Sequence, residues 1–235
     1  MPNYVYGLNT VKEALKGSRI KKVFINRNCK LKDDIVSKHM DYEIVDNAKL
    51  DKLSRCGNHQ GIVALCEDYR LFELKDIVKE NDGLLIILDG ITDPHNFGAI
   101  IRTCEAGGID GIIYKKNNSA KINDTVAKVA SGALEYMKLV EVTNLNSTIN
   151  KLKDLGYWII GTSDKAEKDY TSLDYKGNIA IVIGSEGKGI SRLVMENCDY
   201  LVSLPIKGHV NSLNASVATG IFIYNAIYQR VINKK

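Results

Sequence analysis

The chain has five cysteines, at 29, 56, 66, 104 and 198, and no Cys-x-x-Cys pair among them. An odd, unpaired set argues against a disulfide framework and against a cysteine-rich zinc site. No apolar run reaches the roughly 18 residues that a membrane span requires. The start, MPNYVYGLNTVKEAL, lacks a basic leader followed by a long apolar core, so no secretory signal is expected. There is no internal repeat and no low-complexity tract, which excludes a fibrous chain. An excess of one charge is missing too: 32 Lys+Arg stand against 28 Asp+Glu. Overall charge therefore does not announce nucleic acid. These absences lead to the expectation of a cytoplasmic protein with reduced, mostly buried thiols and Cys104 in a core.

The composition is 45% hydrophobic and 26% charged over 235 residues, which suits a folded chain with room for two domains. The charge is unevenly placed. Residues 1–32 hold eight Lys/Arg and one acid, Glu13. Residues 1–66 hold twelve Lys/Arg and seven Asp/Glu, while residues 67–235 hold 20 and 21. The positive excess lies in the first third, where it either attracts phosphate or forms a solvated Lys-rich face.

Alternation of short apolar runs with amphipathic stretches predicts an α/β layer structure. In the first third, NTVKEALKG reads as a helix capped by Asn9 or Thr10 and ended by Gly17. KKVFIN, YEIVD and IVALC read as strands, with helices in KLKDDIVSKHM and KLDKLSRC. Residues 69–82 are charged and partly helical, and end at the Asp82-Gly83 turn signal. The boundaries are therefore set at 1–68, a linker at 69–82, and 83–235. The second part opens with GLLIILDG. It continues with helices over 98–106, 123–134, 146–155, 189–196 and 212–232 and strands at GIIY, KLVEV, YWIIGTS, IAIVIGSE and YLVSLPI. Continuous apolar strands between helices predict a mostly parallel sheet covered on both faces.

Three segments place glycine and polar residues just after strands: LDGITDPHNFGAIIRTCEAGG (88–108), IVIGSEGKGIS (181–191) and LPIKGHVNSLNASVATG (204–220). Ligands of open parallel sheets bind outside the carboxyl ends of strands, so the three loops suggest one shared site. A phosphate loop, the GxGxxG dinucleotide fingerprint, HExxH and GxSxG are all absent. His95 and His209 each stand alone. Chemistry must rest on Asn, Arg, Glu and backbone groups. Arg102 reads as a ligand for phosphate or carboxylate, or as an ion-pair partner of Glu105. Glu186, between Gly184 and Gly187, reads as an orienting group for Asn96 or Arg102, or as a solvated carboxylate. Ser212 and Asn214 open the last helix and read as caps or as site residues.

Read together, the three segments resemble the SpoU/TrmH family of RNA ribose 2'-O-methyltransferases. N-x-G-x-x-x-R is matched by Asn96, Gly98 and Arg102. G-x-E-G-x-G is matched by Gly184, Glu186, Gly187 and Gly189. P-x-x-G-x-x-x-S-L-N-x-S is matched by Pro205, Gly208, Ser212, Leu213, Asn214 and Ser216. YGLNTVKEAL and HQGIVA resemble the family's small substrate-binding domain, which has the fold of ribosomal protein L30e. LDGITDPHNFGA and VAKVASGALE are similar to the bacterial 23S ribosomal RNA guanosine 2'-O-methyltransferase subgroup.

The resemblance implies an L30e-like RNA-binding domain followed by a SPOUT α/β domain whose C-terminal segment forms a trefoil knot. It implies S-adenosylmethionine held at Thr162, Gly184, Gly189, Leu204, Ile206 and Leu213. It implies a homodimer through the knot domain, with RNA rather than DNA as substrate. The reaction implied is methylation of a guanosine ribose in the P-site loop of 23S rRNA. Arg102, Asn214, Glu186, Asn96 and Ser212 would be the catalytic set, with Arg102 at the substrate phosphate and Glu186 orienting Asn96 and Arg102. A tRNA ribose methyltransferase, a resistance-type rRNA methylase and a non-catalytic ribosome-assembly factor are the competing readings. No metal is expected.

Overall fold

A computed structural model describes residues 3–210 and 212–232. In chain order the elements are β1 (Asn3–Tyr6), α1 (Leu8–Ala14), β2 (Ile20–Ile25), α2 (Lys32–Ser37), β3 (Tyr42–Ile44), α3 (Asn47–Leu53) and β4 (Ile62–Cys66). Then come β5 (Leu84–Asp89), α4 (Pro94–Ala106), β6 (Gly111–Lys115), α5 (Asp124–Ala130), β7 (Leu139–Val142), α6 (Leu145–Asp154) and β8 (Trp158–Thr162). The chain continues with β9 (Lys168–Asp169), β10 (Ile179–Gly184), α7 (Arg192–Glu196), β11 (Tyr200–Ser203) and α8 (Ala215–Ile232). Two compact units result. One combines the chain up to Arg70 with residues 122–136; the other combines 71–121 with the chain from Met137. The backbone therefore passes between units three times, at 70/71, 121/122 and 136/137.

The first unit is built on a four-stranded sheet in the order β1-β4-β2-β3. β4 runs antiparallel to both β1 and β2, and β3 runs parallel to β2. Val11, Ala14, Val23, Ile25, Ile35 and Ile62 close its main core. Segment 122–136 joins this unit through side chains. The Arg19 guanidinium donates two hydrogen bonds to Glu135, at 2.7 and 3.3 Å, one to the Glu67 carbonyl at 2.7 Å, and lies over the Tyr69 ring. Tyr136 donates its phenolic hydrogen to Glu13 at 2.5 Å.

The second unit is a seven-stranded sheet in the order β7-β6-β5-β10-β8-β11-β9, with every pairing parallel. β5 and β10 lie at its centre. All six residues of β5 are buried, which is why GLLIILDG shows no alternation. Side chains alternate between faces. Leu85, Ile87, Ile113, Ala180 and Val182 face a core closed by Ile149 and Leu152 of α6 and Val194 of α7. The opposite face is covered by α4 and α8, which pack on each other. There Phe97 of α4 meets Tyr114, and Phe222 of α8 meets Tyr170 edge-on. Arg230 ties the far end of α8 to four backbone carbonyls, those of Asp82, Gly83, Tyr175 and Gly177. Among the described residues, no helix is long and apolar enough to cross a membrane.

Several boundaries depart from the sequence expectations. α1 begins at Leu8 rather than after Asn9 or Thr10. Gly7 occupies the cap, and Gln60 supplies the acceptor for the Leu8 amide at 2.9 Å. The helix expected over 123–134 stops at Ala130, because Ser131 and Gly132 take φ of 51° and 93°. α4 starts four residues before the expected 98. Asp93 caps it by accepting from the His95 amide, and Pro94 fills the first turn. Residues 69–82 contain one 3-10 turn, Leu74–Asp76, in place of a longer helix. β9 was not foreseen; two residues are too few to show a period.

Candidate active site at the carboxyl edge of the parallel sheet

Because the sheet is parallel, β5, β8, β10 and β11 all deliver their following loops to one edge. The three glycine-rich segments meet there. β10 ends at Gly184, and the chain makes a tight excursion before α7. Ser185 and Gly189 pair across it, with Ser185 N–H to Gly189 O at 3.1 Å and Gly189 N–H to Ser185 O at 2.9 Å. A Cβ on Gly184 would lie 2.1 Å from the Gly189 carbonyl carbon and 2.3 Å from the Ile190 nitrogen. Only glycine allows this return.

Glu186 stands at the tip of that excursion. Its Oε1 accepts from Asn96 Nδ2 at 2.9 Å and from the Ala215 amide at 3.2 Å. Asn96 Oδ1 in turn accepts from Asn214 Nδ2 at 2.8 Å. Asn214 Oδ1 accepts from the Ser216 amide, the Ser216 hydroxyl and the Val217 amide. One continuous network thus joins all three segments and caps α8. Asn96 is buried, so both ends of its amide need partners, and both have one. The Glu186 carboxylate also lies at the α8 N-terminus, where the helix dipole favours negative charge.

Other expected residues stay outside that network. Arg102 is exposed on α4 and makes no hydrogen bond or ion pair among the described residues. The expectation that Glu186 orients Arg102 is therefore corrected: the carboxylate is bonded to Asn96 and Ala215. The alternative pairing of Arg102 with Glu105 is absent as well. Ser212 is exposed and does not cap α8; Asn214 does. Thr162, at the end of β8, donates to the Val182 carbonyl at 3.0 Å. Leu204 and Ile206 are half-buried after β11, and Leu213 is exposed. Residues 205–210 make no backbone–backbone hydrogen bond among the described residues. Gly189 is committed to the Ser185 pair. A loop whose backbone bonds to no other described backbone group, beside half-buried aliphatic side chains, suits a planar heteroaromatic ring with polar edges.

Two residues at this edge carry no signal in the sequence motifs. Asp89, the last residue of β5, is buried with its carboxylate between Lys115 Nζ at 2.8 Å and the Ser191 amide at 2.8 Å. Burial alone would raise its pKa. The Lys115 ammonium and the Ser191 donor outweigh burial and hold the carboxyl below its usual range.

A model of the SpoU rRNA methylase family matches residues 83–224. The chain belongs to the SpoU family. A second family model, for RNA 2'-O ribose methyltransferase substrate binding, matches residues 4–72. A putative TrmH family tRNA/rRNA methyltransferase of Staphylococcus aureus strain COL is 42% identical, with 96% of each chain covered. The 23S rRNA (guanosine-2'-O-)-methyltransferase RlmB of Ralstonia nicotianae is 46% identical over 80% of this chain and 76% of its own length. Among solved structures, the SpoU methyltransferase AviRb of Streptomyces viridochromogenes superposes with a TM-score of 0.88 at 24% identity. That match covers 99% of this chain and 91% of the other. The AdoMet-bound rRNA methyltransferase of Sinorhizobium meliloti superposes at 0.84 with 25% identity, covering 95% and 86%. In this SpoU chain the Asn96–Glu186–Asn214 network is the physical link between the three sequence motifs. The substrate-binding match covers the N-terminal segment of the small α/β unit, while that unit's second segment, 122–136, falls inside the SpoU methylase match.

Proposed function

We propose that this enzyme transfers the methyl group of S-adenosylmethionine to the ribose 2'-hydroxyl of a guanosine in the P-site loop of 23S rRNA. The observation that carries the site assignment is the single hydrogen-bond network joining Asn96, Glu186 and Asn214. The choice of 23S rRNA rests on the 46% identity to the Ralstonia enzyme.

S-adenosylmethionine supplies an electrophilic methyl group on a sulfonium. Thr162, Gly184, Gly189, Leu204, Ile206 and Leu213 would hold it, using the open backbone of the loop after β11 and the aliphatic side chains beside it. The protein must align the hydroxyl and stabilise negative charge as its proton leaves. Arg102 is suited to the substrate phosphate: its guanidinium is exposed and bonded to no described residue, and its donor fork matches phosphate oxygens. A free guanidinium is a poor base, so its role is to hold the phosphate and favour the developing alkoxide. Asn214 and Asn96 keep the loops in register through Glu186. Ser212, exposed beside them, is the further substrate contact.

Residues 1–68 grip RNA, 69–82 join them to the rest, and 83–235 carry out transfer, apart from the segment 122–136, which packs into the small unit; positions 1–2, 211 and 233–235 lie outside the described residues. RNA is required because the acceptor oxygen exists only there. The transferring domain carries the trefoil knot and forms a homodimer. Insertion of β10 between β5 and β8, with α8 returning to α4, supports the knot. An exposed apolar stripe on α8, Val217, Tyr224, Tyr228 and Val231, supports the dimer. The cytoplasm, where ribosomes assemble, is the proposed location.

The test is a transcriptome-wide map of ribose methylation in cells with and without the gene. Loss of one guanosine 2'-O-methyl in the P-site loop is the expected result. Loss of a tRNA methyl instead would replace the substrate.

A further inference from the structure

The excursion that carries Glu186 is anchored at two places, and the sequence motifs account for only one. Glu186 fixes its tip to Asn96 and to Ala215, the start of α8. Its exit, Ile190-Ser191, is fixed on the other face of the sheet. Alternation along β5 puts Asp89 on the same face as Leu85 and Ile87, the face that packs against α6 and α7. Lys115 occupies the next register position after Tyr114, which pairs with Leu88. The two ends of β5 and β6 therefore place a carboxylate and an ammonium side by side. Asp89 uses one oxygen for Lys115 and the other for the Ser191 amide, each at 2.8 Å.

The arrangement has a directional consequence. Asp89 is also the register partner of Gly184, so it sits directly beside the point where β10 enters the excursion. A carboxylate accepting at Ser191 fixes the exit relative to that entrance. Within the span lie the Ser185–Gly189 pair and Glu186. The Asp89 side chain is buried at 4% exposure, so it contacts neither substrate nor solvent freely. Lys115 is 29% exposed and can neutralise Asp89 while remaining partly hydrated. A buried carboxylate needs such compensation, and an uncharged amide in its place would present an N–H toward one of two donors.

We infer that Asp89 is a positioning residue of the methyl-transfer site. It acts through the Ser191 amide to hold the 185–191 excursion in its cofactor-binding shape, and Lys115 keeps its carboxylate oriented. This rests on the proposed S-adenosylmethionine site at Gly184 and Gly189.

The test compares wild type with Asp89→Asn, Lys115→Met and Lys115→Arg in the full chain. S-adenosylmethionine affinity is measured by calorimetric titration, and methyl transfer by steady-state kinetics on rRNA. Asp89→Asn is expected to weaken cofactor binding at least tenfold and to raise KM for S-adenosylmethionine, with KM for RNA little changed. Lys115→Met should reproduce the direction of that split, and Lys115→Arg should restore it. A purely structural role would lower thermal stability while the folded fraction binds cofactor normally. That outcome in both Asp89→Asn and Lys115→Met would overturn the inference. Should Asp89→Asn fail to fold, the variants at the partly exposed Lys115 decide alone. If the wild type itself binds no S-adenosylmethionine, it is the cofactor assignment that fails, which the titration shows before any variant is compared.

Discussion

Arg102 and Asn96 stand six positions apart on α4 and have opposite characters. Arg102 is exposed and bonded to no described residue; Asn96 is buried and bonded at both ends of its amide. Arg102→Ala should leave the thermal midpoint and cofactor affinity near wild type while methyl transfer falls about a hundredfold or more. Asn96→Ala strips partners from Glu186 and Asn214 and should cost about 1–3 kcal/mol of stability, weakening cofactor binding as well. Thermal melts with transfer of a labelled methyl group to rRNA separate the two. Wild-type transfer by Arg102→Ala would remove that residue from the mechanism. The motif residues were visible because glycine and amide side chains gathered after apolar strands. The Asp89–Lys115 pair was not, since its members are 26 positions apart and meet only because β5 and β6 are neighbours.

Among elements, β5 and β10 were the easiest to foresee. Central parallel strands are buried on both faces, and an unbroken apolar run records that directly. α4 was foreseen late because its first turn is set by a cap and a proline rather than by apolar spacing. The attachment of segment 122–136 could not be foreseen at all. It lies between two strands of the large sheet, yet its anchor is Arg19, 116 positions before Glu135. The side chains of that pair are only 11% and 8% exposed. Glu135→Gln leaves a buried guanidinium with reduced compensation. Breaking a buried pair costs about 3–5 kcal/mol. The Glu67 carbonyl and the Tyr69 ring still hold Arg19, so the lower end is expected. Hydrogen exchange should speed up across 122–136 while the amides of β5 and β10 stay protected. Uniform acceleration across the chain would show that the segment is no separate element.

For the whole molecule, the exposed stripe on α8 is the feature most open to test. Tyr224, Tyr228 and Val231 are 53%, 65% and 57% exposed. A lone exposed apolar residue needs no explanation, but a helix-long row does. Tyr228→Glu should shift the protein to monomer in sedimentation while its folding transition stays cooperative. A wild-type protein that sediments as a monomer would instead remove the dimer from the functional proposal. Charge was legible at this scale only as an average. Lys22 and Lys49 share Glu43 and Lys16 pairs with Glu13, so three of the first-third lysines meet two of the acids that the count already subtracts.

The three backbone passages between units bear on how this protein could be taken apart. A protease that nicks the chain once, between 70 and 71, cuts the only backbone link of residues 1–70, which then stay attached only through their packing on 122–136. A fragment ending at residue 70 would carry Arg19 without Glu135 and Glu13 without Tyr136. Grafting the small unit onto another enzyme as a simple N-terminal fusion would therefore transplant an incomplete body. A working chimera has to carry the internal segment along with it.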